Sequence, residues 1–120
     1  MKLFLLIFIS LQTLIGGRAE FDKTVHDFGK FSVKDGVQNC VFTITNKGDE
    51  PLTILSAIPS CGCTGVSWTR ESLKTGEKGT ISVNYKNEDG PYPFDKTVIV
   101  YLSDIKKPII LHLKGVVTKE

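Results

Sequence analysis

From Val37 onward, segment after segment of this chain sets apolar residues on every second position. Cys40, Phe42 and Ile44 alternate with Asn39, Thr43 and Thr45. Ile81, Val83 and Tyr85 alternate with Thr80, Ser82 and Asn84, and Val98, Val100 and Leu102 repeat the pattern. Ile109, Leu111 and Leu113 alternate with His112 and Lys114. A period of two is the signature of a strand with one face buried, because successive side chains of a strand point to opposite sides. We find no run of ten residues with helical periodicity. Turn signals punctuate the pattern: Asn46-Lys47-Gly48-Asp49, Pro59, Gly76, Gly79, and Asn87 to Pro91.

Strands are expected at 23–28, 37–45, 52–58, 66–68, 80–85, 94–102 and 109–117. In the third, Leu52, Ile54 and Ile58 are expected on one face, after a proline that a strand tolerates at its first residue. About seven short strands with turns every 8–12 residues predict an all-β fold, an immunoglobulin-like β-sandwich. A small barrel shares the same periodicity and stays open at this point. There is no internal repeat and no low-complexity linker.

The first residues follow another logic. Met1-Lys2 precedes a run from Leu3 to Ile15 broken only by Ser10, Gln12 and Thr13, and Gly16-Gly17-Arg18-Ala19 follows. A basic start, a short apolar run and small residues at positions −3 and −1 make a secretory signal peptide, expected over 1–19 with cleavage before Glu20. The run is shorter than the roughly 20 residues a membrane span requires. Leu14-Ile15-Gly16-Gly17 resembles the start of a lipidation box, but Arg18 stands where that box needs cysteine. Residues 20–120 are therefore expected to form one exported domain, periplasmic or secreted, with no stable membrane anchor after cleavage. Losing Lys2 and Arg18 leaves equal numbers of basic and acidic residues. Without a basic stripe, no nucleic-acid partner is expected.

The motifs, in chain order, resemble a known family. They are His26-Asp27-Phe28-Gly29, then Phe42 to Leu52, then Ser60-Cys61-Gly62-Cys63-Thr64, then Gly76-Glu77-Lys78-Gly79-Thr80-Ile81. Gly90-Pro91, Phe94-Asp95-Lys96-Thr97 and Lys114-Gly115 complete the series. The chain resembles the bacterial domain of unknown function 1573 family over about Phe21 to Val117. The resemblance implies an exported immunoglobulin-like sandwich akin to domains of the major-sperm-protein type. It implies no established activity, and Cys40 is not part of the family pattern.

The three cysteines concentrate whatever chemistry the chain has. An odd number in an oxidising compartment admits several arrangements. A disulfide of Cys40 with Cys61 or Cys63 would close a loop of about 20 residues and add about 3 kcal/mol by loop-closure entropy. A Cys61–Cys63 disulfide would make a tight, strained, redox-active ring, with Gly62 taking the unusual backbone angles. As free thiolates, Cys61 and Cys63 are candidate metal ligands for copper(I), which needs only two such ligands. Inert packing of the thiols is the remaining arrangement. His26 and His112 are expected as packed or solvated strand residues. The chain has no His-Glu-x-x-His, no serine nucleophile elbow and no phosphate-binding glycine loop.

The expected function is an exported, non-enzymatic binding or scaffolding module for an unidentified protein or envelope partner. The alternative is a periplasmic thiol module acting through Cys61 and Cys63, in copper(I) binding or redox exchange.

Overall fold

The structure is a computed structural model that describes residues 19–87, 90–103 and 105–119. The expected leader falls outside the described residues apart from Ala19.

The described residues form eight strands: β1 (Ala19–Phe21), β2 (Val25–Ser32), β3 (Gln38–Asn46), β4 (Ile54–Pro59), β5 (Thr64–Trp68), β6 (Lys78–Tyr85), β7 (Pro93–Leu102) and β8 (Ile109–Thr118). They form two separate four-stranded sheets, ordered β1-β3-β6-β5 and β2-β8-β7-β4. Among the described residues no strand pairing joins the two sheets, so the fold is the sandwich and not the barrel.

The eight strands are seven with the first one divided. β1 pairs antiparallel with β3, whereas β2 pairs parallel with β8 in the opposite sheet. Asp22 ends the first ladder: its N–H donates to the Thr43 carbonyl at 2.9 Å, and its carboxylate accepts from the Thr43 N–H at 2.9 Å. Two residues later the Thr24 carbonyl accepts from the His112 N–H at 2.8 Å and opens the second ladder. β1 takes in Ala19, which pairs with Asn46 and is 1% exposed.

The core is built from the alternation. Phe42 and Ile44 of β3 and Ile81 and Val83 of β6 face Val98 and Val100 of β7 and Leu111 and Leu113 of β8, all buried in one cluster. Burying each such side chain favours folding by about 1.5–3 kcal/mol. At one end a second cluster gathers Phe31, Cys63, Tyr85, Phe94 and Val117. Tyr85 stacks on Phe94 at 4.1 Å between ring centroids, and Phe31 meets Phe94 edge-on at 6.0 Å.

β4 departs from the expected facing. The β4–β7 register slips between Ile54 and Ser56, which inserts one residue into β4. The bulge lets both Ile54 and Ala57 point inward and turns Ile58 outward, where it is 50% exposed. Leu52 precedes the strand and is held in the core by a bridge to Leu73.

The turn after β3 is locked by one buried side chain. The Asn46 amide nitrogen donates to the Glu50 carbonyl at 2.8 Å and to the Leu73 carbonyl at 2.9 Å. Its amide oxygen accepts from the Gly48 N–H at 2.9 Å. Among the described residues, no helix is long and apolar enough to cross a membrane.

Candidate functional site: the cysteine corner

Pro59 closes β4 in one sheet, and Thr64 opens β5 in the other. Residues 60–63 therefore turn the corner between the sheets. Both sheets hold this corner. The Ser60 N–H donates to the Thr97 carbonyl at 2.9 Å, and the Thr97 N–H donates to the Ser60 hydroxyl at 3.1 Å. On the other side, the Lys86 N–H donates to the Cys63 carbonyl at 2.8 Å. The Thr64 N–H donates to the Cys61 carbonyl at 3.1 Å and tightens the turn.

Cys61 and Cys63 are joined by a disulfide across a sequence separation of 2, with Cα atoms 5.1 Å apart. Gly62 is the exposed tip, and no residue other than its two chain neighbours comes within 4 Å of where a Cβ would lie. The two sulfurs have unlike surroundings. Cys63 is 4% exposed and sits among Phe31, Tyr85, Phe94 and Val117. Cys61 is partly exposed and packs against that cluster from outside it. The Cys63 N–H points at Cys61 Sγ, 3.1 Å away.

Cys40 is free and buried. The expected bridge from Cys40 to Cys61 or Cys63 is thus corrected. Cys40 pairs with Val83 on one side of β6, while the cysteine corner leads into β5 on the other side of β6. Two inter-strand spacings of about 4.8 Å separate those flanking strands. That already exceeds the roughly 7 Å a disulfide can span between Cα atoms. Burial in the apolar core pushes the Cys40 thiol up to about 11; Lys23 lowers and Asp22 raises it to a lesser extent.

In the disulfide neither Cys61 nor Cys63 offers a thiolate, so copper(I) ligation can belong only to a reduced form. Neither histidine supplements the pair. His26 lies edge-on to Phe28 at 4.6 Å between rings and accepts from Lys23 Nζ at 3.0 Å. Burial first, then the Lys23 charge, lower its pKa, and Asp27 opposes them. His112 meets Asp95 at 3.1 Å on the outer face of the β7–β8 pair. Among the described residues, no group of three or more His, Cys, Asp or Glu side chains is placed to hold a metal ion. Trp68 packs against the main core with the Arg70 guanidinium 4.1 Å over its ring, rather than over the sulfurs.

One surface escaped the reading of the residues. On the outer face of the β4–β7–β8 sheet, Ile58 pairs with Ile99 and Ile99 with Ile110, a row of three isoleucines across three neighbouring strands. Ile58 and Ile110 are about half exposed, and Leu55 and Tyr101 beside them are 59% and 40% exposed. Lys106 and Lys107 are exposed in the loop between β7 and β8. The Ile99 and Ile110 part of this row was visible as apolar residues on the polar side of two strands. A cleft of about 320 Å³ lies elsewhere, lined by Glu20, Phe21, Asp22, Thr43, Thr45 and Lys78.

Two four-stranded sheets, with the first strand divided between them, define an immunoglobulin-like β-sandwich. Human CEP192 supplies one such fold: its ASH/PapD-like domain 7 matches with a TM-score of 0.66 at 12% identity, over 98% of this chain and 98% of that one. A protein of unknown function from Porphyromonas gingivalis W83 matches with a TM-score of 0.70 at 17% identity, over 86% of this chain and 49% of that one. The VesB protease of Vibrio cholerae matches with a TM-score of 0.64 at 22% identity, over 82% of this chain and 32% of that one. The chain thus spans about half of the first of these two bacterial proteins and a third of the second. No curated protein matches the sequence. The family described as "Protein of unknown function (DUF1573)" matches residues 19–117, and the chain belongs to it.

Proposed function

We propose that the chain is an exported, non-enzymatic binding module that docks a protein of the cell envelope on its outer β4–β7–β8 face. The row Ile58–Ile99–Ile110, flanked by Leu55 and Tyr101, carries the proposal. Single exposed apolar residues are ordinary on a protein surface, whereas a contiguous row is the mark of an interaction site. Lys106 and Lys107 at the same end of the hairpin favour a partner whose apolar surface is edged by carboxylates. Ile110→Glu and Ile99→Glu place charge in the row without touching the core. Both variants should fold and lose envelope partners that wild-type protein retains, and retention should weaken as salt rises. An identical set of partners for wild type and variants would remove the face from the proposal.

A second reading, thiol–disulfide exchange, is favoured by the Cys61–Cys63 bond at a partly exposed corner. The copper(I) version of the thiol reading applies to the reduced pair alone. Replacing both cysteines with serine should abolish exchange with a dithiol. Exchange unchanged in that variant would sink the reading, and copper(I) uptake unchanged in the reduced variant would sink its metal version.

A further inference from the structure

We propose that the two sulfurs of the corner have different tasks: Cys61 exchanges with an outside thiol or disulfide, and Cys63 is the resolving sulfur. This assignment rests on the thiol-exchange reading.

A thiolate attacks a disulfide sulfur along the S–S axis, from the side opposite the sulfur that leaves. Attack on Cys61 comes from the side of the partly exposed residue, next to the open space around Gly62. Attack on Cys63 would have to come through Phe31, Tyr85, Phe94 and Val117, where Cys63 is 4% exposed. Access therefore selects Cys61. The Cys63 N–H, 3.1 Å from Cys61 Sγ, holds that sulfur in place on the corner. Residues 60 and 63 are tied by backbone bonds to Thr97 of β7 and to Lys86, which directly follows β6 of the opposite sheet, so the corner keeps its orientation when the S–S bond opens.

The co-reactant is a dithiol, and the electrons balance as follows. One thiolate of the dithiol attacks Cys61 Sγ and forms a mixed disulfide. The Cys61–Cys63 bond breaks, and its electron pair goes to Cys63 Sγ, which takes a proton. The second thiol of the dithiol then loses its proton and attacks the co-reactant's own sulfur in the mixed disulfide. Cys61 leaves with the electron pair and is protonated. Two electrons have passed: the dithiol has become a disulfide, and Cys61 and Cys63 have become thiols. In the reverse direction Cys61 attacks an outside disulfide and Cys63 releases it.

The test uses the full mature protein carrying Cys40→Ala, so that only the corner reports. Dithiothreitol serves as the dithiol and glutathione disulfide as the disulfide. Folded Cys63→Ser should form a mixed disulfide with glutathione at least tenfold faster than folded Cys61→Ser. In the reduced protein with both corner cysteines, acid quenching early in the reaction should place glutathione on Cys61 by fragment mass spectrometry. This second measurement does not depend on either serine variant folding. Equal rates, or glutathione found first on Cys63, would overturn the assignment while leaving the exchange reading intact. A corner that dithiothreitol reduces only after unfolding would overturn both.

Discussion

Asn46 is the residue whose loss should cost this fold most for the fewest atoms. It is fully buried at the end of β3, and its side chain makes three hydrogen bonds, to Glu50 O, Leu73 O and Gly48 N. These bonds tie the β3–β4 turn to the loop ahead of β6. Asn46→Ala removes all three together. At about 1 kcal/mol net for each, the expected loss is about 3 kcal/mol. For a domain of this size that is a fall in Tm of more than about 10 °C. Asn46→Asp keeps the volume and the acceptor for Gly48 but turns an oxygen toward the two carbonyls. It should therefore lose at least as much stability as alanine, although it is the closer match in shape. Urea unfolding followed by tryptophan fluorescence would measure both, with the midpoint shifting and the slope unchanged. A loss below about 1 kcal/mol for alanine, or an aspartate variant as stable as wild type, would refute the reasoning that hydrogen bonds and not volume hold this turn.

Three further expectations follow from single contacts. A Cβ on Gly115 would lie 2.9 Å from Phe94 Cζ and 3.2 Å from the Gly29 carbonyl; Gly115→Ala should cost about 1–3 kcal/mol in a thermal melt and perturb the Tyr85–Phe94 stack seen in near-ultraviolet circular dichroism. Because burial raises the Cys40 thiol to about 11 in the folded protein against 9.0 for an unburied one, the folded state holds its proton longer. Its contribution is complete below pH 9 and is lost as pH rises through about 11, so wild type should lose more stability than Cys40→Ala across that window. His26 is shifted the other way, so its contribution is present above the ordinary histidine value of 6.5 and lost as pH falls below it; a ring titration by NMR should place His26 below that value, and Lys23→Ala should raise it.

The strict alternations were legible because each strand has one buried face. Cys40-Phe42-Ile44, Ile81-Val83-Tyr85 and Leu111-Leu113 all point where the period places them. The divided first strand was not legible. Ala19-Glu20-Phe21 follows closely on the apolar run of residues 3–15 in sequence, and what separates β1 from β2 is a side chain–backbone contact of Asp22 with a residue 21 positions away. The facing of Ile58 departs from the period for a related reason: a bulge adds one residue and inverts everything after it, and nothing in Leu52 to Pro59 marks where the slip falls. Residue types nominated Cys61 and Cys63 as the chemical centre. Pairing could not be read from spacing, because whether Cys40 lies on the near or far side of β6 depends on strand order.

The parallel pairing of β2 with β8 has a mechanical consequence. Because the two strands run in the same direction, tension applied between the two ends of the domain pulls them in opposite directions along their length. The pairs from Val25–His112 to Ser32–Thr118 then share the load in shear instead of opening one after another. β1 precedes β2 along the chain and is held to β3 by only three residue pairs, so it gives way first. A domain stretched between two tethers would thus lengthen by one short release and then stop at β2, holding its sandwich closed.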